Sequence, residues 1–133
     1  MLEAFTKVTK RFLGLRDKIE TPRDAHAKFH LKYDDLTVGI LCVDHGHWIF
    51  RYSDEFRKRS DLRPIVEFPD VNKTYESDEL WPFFQMRIPS RTQSTVEEII
   101  ERERIQENDQ VRLLARFGRR TIANPYELIP VAV

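Results

Sequence analysis

Cysteine is almost absent from this chain: Cys42 stands alone, so no internal disulfide can form and a reducing compartment is the simpler setting. Glycine is scarce as well. Its four residues are not grouped as a P-loop or a dinucleotide fingerprint requires, which removes the common phosphate-cradling loops. No apolar run reaches the roughly 18 residues of a membrane helix, and the N-terminus lacks the unbroken apolar stretch of a signal peptide. Neither sign of charge dominates, because 22 Lys and Arg offset 22 Asp and Glu. A general polyanion binder is disfavoured by that balance. There is no metalloprotease helix and no nucleophile elbow. The expectation is a soluble, cytoplasmic protein that is not an enzyme.

What is present suits one compact fold. The length of 133 residues fits a single domain, and nine Phe, four Tyr and two Trp can fill a core. Charge is balanced overall but not locally. Residues 1–32 carry a net +4, while residues 97–109 carry a net −4.

Leu2, Phe5, Val8, Phe12 and Leu15 recur at helical spacing, with Lys7, Lys10 and Arg11 off that stripe. Residues 1–27 therefore read as a basic amphipathic helix followed by a linker, and residues 28–133 as the folded domain. From Phe29 the period changes to two. Phe29, Leu31 and Tyr33 alternate, Asp34-Asp35 make a turn, and Leu36, Val38, Ile40 and Cys42 share one strand face. Asp44-His45-Gly46 is a hairpin signal, after which Trp48, Phe50 and Tyr52 line one face of the next strand. Ser53 caps a helical turn, and Arg63 to Phe68 reads as another strand. Ser94 and Thr95, each three residues before a glutamate, form a capping-box pattern opening a helix to about Ile105. Asp109 caps a second helix to Phe117, with Gly118 in the left-handed position beyond it, and Tyr126 to Val131 close the sheet. The expected class is α+β: a small antiparallel meander or barrel-like sheet, a C-terminal helical pair and an N-terminal amphipathic helix.

The chemistry-bearing residues are few. Cys42-x-x-His45-x-His47 is the nearest approach to a metal cluster, yet it lacks the ligand set of a closed zinc site. The reading assigns no metal, no cofactor and no catalytic residue. Cys42 is taken as a small apolar strand residue, because no activating third group is evident beside it. Trp81-Pro82-Phe83-Phe84 crowd together before Pro89. Phe83 and Phe84 read as core, whereas Trp81 in a rigid turn suits either a core anchor or a recognition hot spot.

Val38-Gly39-Ile40-Leu41 followed by Trp48-Ile49-Phe50-Arg51-Tyr52 resembles the opening hairpin of the N-terminal subdomain of the HipA family. Pro82-Phe83-Phe84 with Ile88-Pro89 is similar to that family's "P-F-F-x-x-L-L-P-E-G" segment. Asp109 to Gly118, followed by Arg119, is similar to its "D-x-F-x-L-L-x-x-L-G-R-D" helix. The resemblance runs in order from about Phe29 to Ile122. It departs at Ser90-Arg91, where the family has Glu-Gly, at Arg120 in place of Asp, and at Ala123 in place of Gly.

The resemblance implies a relation to serine/threonine kinase toxins that assemble with a helix-turn-helix DNA-binding partner. The kinase's nucleotide-binding loop and catalytic aspartate lie outside the matching part. The implied role is that of HipS, a free-standing N-terminal subdomain that binds a separate HipA-type kinase and inhibits it as antitoxin. The partner-facing residues on this reading are Trp81, Pro82, Phe83, Phe84, Arg87, Pro89 and Ser90. Trp48, Phe50, Tyr52, Leu114, Phe117 and Gly118 are structural. Two alternatives stand beside it: an accessory subunit of a kinase–repressor complex that does not inhibit, and a nucleic-acid-binding protein using the basic N-terminal helix. Membrane contact is not expected, and direct DNA binding is disfavoured.

Overall fold

A computed structural model describes residues 21–90, 92–106 and 109–132 of the chain. The amphipathic helix read between Leu2 and Leu15 lies outside the described residues. Among the described residues five strands form one antiparallel sheet: β1 (His26–Tyr33), β2 (Leu36–Asp44), β3 (His47–Tyr52), β4 (Tyr75–Ser77) and β5 (Glu127–Val131). Their spatial order is β4-β3-β2-β1-β5, so the sheet is open, with β4 and β5 at its edges. Four short helices accompany it: α1 (Asp54–Arg57), α2 (Pro82–Gln85), α3 (Ser94–Arg102) and α4 (Gln110–Phe117). The α+β meander is the architecture observed.

Both tight hairpins fall where the turn residues stand. Asp34 opens the first with φ 50°, and His45 and Gly46 make the second with φ 51° and 78°. Positive φ at both central positions is the twist-matched turn of a two-residue hairpin. Strand β1 starts at His26 rather than Phe29, and residues 21–25 are bound to the sheet instead of trailing as a linker. Pro22 and Ala25 are joined by a 3.1 Å backbone hydrogen bond, and Gly46 donates to the Ala25 carbonyl.

Simple alternation fails in β2. Leu31 pairs with Gly39 but Lys32 pairs with Thr37, which leaves Val38 as an extra residue in the strand. This bulge shifts the side-chain period by one. Val38, Leu41 and Val43 are therefore buried, while Ile40 and Cys42 are half-buried on the opposite face. The expected grouping of Val38 with Ile40 and Cys42 is corrected accordingly. The bulge also anchors α1: the Ser53 amide donates to the Val38 carbonyl at 2.9 Å, and the Ser53 side chain caps Phe56.

One face of the sheet carries the core. Phe29, Leu31, Leu41, Trp48, Phe50 and Leu128 meet Phe56, Phe68, Leu80, Phe84, Val111 and Leu114 there. Arg63 to Phe68 is not the expected strand; it forms an irregular loop whose Ile65 and Phe68 are buried. The Tyr52 hydroxyl holds that loop, donating to the Phe68 carbonyl at 2.6 Å and accepting from the Ile65 amide at 2.9 Å. The fourth strand is instead Tyr75–Ser77, too short for its alternation to register in the sequence.

A second cluster of Val96, Ile100, Ile105 and Leu113 joins α3 to α4. Helix α3 begins at Ser94, with Gln93 as its N-cap and no side-chain cap bond, so the capping box does not form. It ends at Arg102, not Ile105, because Arg104 turns left-handed (φ 54°). Ile105 then donates back to the Ile100 carbonyl at 3.0 Å and packs against that residue, a Schellman closure. Asp109 does cap α4, accepting from the Arg112 amide at 3.1 Å. Gly118 is not left-handed, however; its φ is −85°. A Cβ there would lie 2.5 Å from the Leu114 carbonyl oxygen, and that close approach accounts for the glycine.

Candidate partner-binding site

The segment from Trp81 to Ser90 starts as a helix because Pro82 occupies the first helical position, where its fixed φ helps and its missing N–H costs nothing. The Trp81 carbonyl accepts from Phe84 and Gln85 at 2.9 and 3.0 Å, closing the first turn. One side of the turn is sunk into the core. Phe84 is fully buried, Phe83 is nearly so, and both meet Phe68 with ring centroids 6.1 and 6.2 Å away.

Trp81 is half-buried. Its ring stands edge-on to Phe68 at 5.3 Å, so part of the indole packs and part remains open. Pro82, Gln85 and Ser90 are exposed, Pro89 is half-buried, and Met86 exposes 54% of its surface. The residues that retain surface are thus Trp81, Pro82, Pro89 and Ser90 of those named from the sequence, joined by Met86. Spacing explains the addition. Positions 82 and 86 are four apart and share a helix side, opposite the buried pair 83 and 84. An unbranched thioether is suited to a surface that must adapt to a partner.

Arg87 reads from the sequence as partner-facing, but only 3% of it is exposed. Its guanidinium turns inward to the C-terminal segment. Nη1 donates to the Gly118 and Arg119 carbonyls at 3.0 and 3.2 Å, and Nη2 to Asn124 Oδ1 and the Tyr126 carbonyl at 3.0 Å each. The Nε finds no partner among the described residues. Burial pulls the Arg87 pKa down to about 10, which still leaves it charged at neutral pH. Two of the carbonyls that hold it, those of Gly118 and Arg119, lie at the C-terminal end of α4, where the helix dipole favours a cation. Arg87 is therefore a staple between the Pro82–Gln85 turn and the start of β5. Sequence spacing carried no signal for it, because its acceptors lie 31 to 39 residues away.

Trp48, Phe50, Tyr52 and Leu114 are buried, and Gly118 is buried at the α4 terminus. Phe117 is half-buried and carries Arg116 over its ring at 5.5 Å.

The Cys42–His45–His47 spacing does not assemble into one cluster. His47 Nδ1 lies 2.8 Å from Asp78 and its Nε2 lies 3.3 Å from Glu76. The Asp78 bond, helped by Glu76, raises its pKa above the ordinary 6.5. Cys42 is half-buried on the strand, and His45 turns toward Asp44. Among the described residues no helix is long and apolar enough to cross a membrane.

Residues 30–123 match the model of the HipA N-terminal domain family. That span holds the bulged β2, the Trp81–Ser90 segment, Arg87 and most of the carbonyls it grips. No curated protein matches the chain.

Proposed function

This chain belongs to the HipA N-terminal domain family, and from that membership we propose that it is a HipS-like antitoxin. On this reading it binds a separate HipA-type serine/threonine kinase chain and holds it inactive, without catalysing a reaction itself. The observation that carries the reading is the division of the Trp81–Ser90 segment. Its Phe pair is locked into the core, while Trp81, Pro82 and Met86 retain surface on a rigid turn. Aromatic and Met anchors on a preformed turn lose little side-chain entropy on binding, which favours a hot spot there.

The opposed charges of the two local segments, basic before residue 32 and acidic from 97 to 109, would steer encounter rather than supply affinity. A cytoplasmic setting belongs to the same reading, in keeping with a single thiol and a kinase partner. A helix-turn-helix repressor would share the assembly.

Co-expression with the cognate kinase tests the proposal. An antitoxin restores growth and is recovered with the kinase in a pull-down. An accessory subunit without inhibition is also recovered but leaves toxicity unchanged or greater. Recovery of no kinase overturns both.

A further inference from the structure

We propose that His26, Asp44 and His45 form a binding site for a divalent transition-metal ion of the Zn²⁺ class. These residues come from three places in the backbone: the first position of β1, the last of β2, and the hairpin turn after it. Cross-strand pairing sets His26 directly opposite Asp44. Their side chains then converge. His26 Nδ1 lies 2.7 Å and His45 Nδ1 3.0 Å from the same oxygen, Asp44 Oδ1, and one ligand atom from each residue falls within 4.8 Å of the others. The two imidazoles meet edge to face with centroids 4.6 Å apart.

A tetrahedral Zn²⁺ with bonds of about 2.0–2.2 Å holds its ligand atoms about 3.3–3.6 Å apart. Side-chain rotation on binding would widen the two N–O separations from 2.7 and 3.0 Å to that span and set the two imidazole nitrogens at the same spacing. Two imidazole nitrogens with one carboxylate oxygen select Zn²⁺-like ions over Mg²⁺, which prefers oxygen ligands and retained water.

The backbone beneath the trio is fixed. Gly46 donates to the Ala25 carbonyl, Ala25 donates to Pro22, and a Cβ at Gly46 would come within 3.0 Å of the Pro22 carbonyl oxygen. The hairpin tip is thereby clamped to the chain entering β1. His45 also holds a left-handed turn position that Asn, Asp or Gly would fill more readily. Its neighbour His47 is engaged by Asp78 and Glu76 and stays outside the trio. The side chains are exposed, so three protein ligands leave the remaining coordination position to water.

Calorimetric titration of Zn²⁺ into the full chain tests the assignment, with Mg²⁺ as control. Saturable Zn²⁺ binding at one site is expected, with Mg²⁺ silent. His26→Asn and His45→Asn should each weaken Zn²⁺ by about tenfold or more, the scale at which even indirect partners of a metal act. His30→Asn and Cys42→Ser should leave affinity unchanged, since neither belongs to the trio. Far-ultraviolet circular dichroism checks that each variant keeps its fold. Absence of Zn²⁺ binding, loss of binding in Cys42→Ser, or full affinity in both histidine variants overturns the proposal.

Discussion

The indole nitrogen of Trp48 donates a 2.7 Å hydrogen bond to the Thr21 hydroxyl, which in turn lies 2.9 Å from Gln110 Oε1 and donates to it. A fully buried tryptophan in β3 thus has its one polar atom satisfied by a residue preceding β1. The bond ties the entry of the chain to both the sheet and α4. Thr21→Val removes the hydroxyl while keeping the shape, and leaves a buried donor unmatched. Stability should fall by about 1–3 kcal/mol in chemical denaturation. An unchanged midpoint would mean that water replaces the hydroxyl.

Arg87→Met should cost more. It strips the hydrogen-bond donor from carbonyls at the α4 terminus and from Asn124, and the expected loss is about 3 kcal/mol or more. Arg87→Lys should not rescue it, because an ammonium cannot span acceptors that a planar fork reaches together. Amide exchange should quicken around β5 in both variants.

Tyr52 offers a pH readout. Its phenol is 1% exposed, and burial pushes its pKa above the ordinary 10.0. The unfolded chain therefore releases this proton at lower pH than the native one. The associated stability is complete below pH 10.0 and is lost as pH rises from there toward the native value. Phenolate absorbance should show a component that titrates above the ordinary 10.0, to which the buried Tyr52 and the half-buried Tyr126 both contribute. Tyr52→Phe should reduce that component to the share of Tyr126 and destabilise the Ile65–Phe68 loop by about 1–3 kcal/mol.

The two sides of the α2 turn should separate binding from folding. Phe84→Ala opens a cavity in the core and should cost about 3–5 kcal/mol. Met86→Glu should leave the melting temperature unchanged but weaken kinase capture about tenfold or more, the signature of a contact-centre anchor. Trp81→Ala should lose kinase inhibition along with some stability, since the ring also packs on Phe68. Kinase inhibition by Met86→Glu and Trp81→Ala equal to that of the parent chain would move the interface elsewhere.

The glycine of the Val38-Gly39 motif illustrates what sequence can and cannot carry. Its identity marks the hairpin, but its reason is tertiary. A Cβ at Gly39 would stand 2.6 Å from the Phe50 ring and 2.8 Å from the Arg51 carbonyl oxygen. The same strand holds the bulge at Val38, invisible to a reading that assumes strict alternation, because a bulge is a property of two paired strands.

Local rules decided much of this protein. Turn residues at Asp34-Asp35 and His45-Gly46, period-two alternation in β1 and β3, Ser53 and Asp109 as caps, and the family resemblance were all legible within short windows. These depend on neighbours a few residues apart, where backbone preference and side-chain period act directly. Tertiary structure alone decided the rest. Arg87 became a staple through acceptors more than 30 residues away, and Thr21 joined the core through Trp48 and Gln110. His26 met Asp44 only by cross-strand register, while His47 was drawn off to Asp78. Long-range hydrogen bonds and strand pairing have no local period, so the sequence supplied the groups and only packing chose their partners.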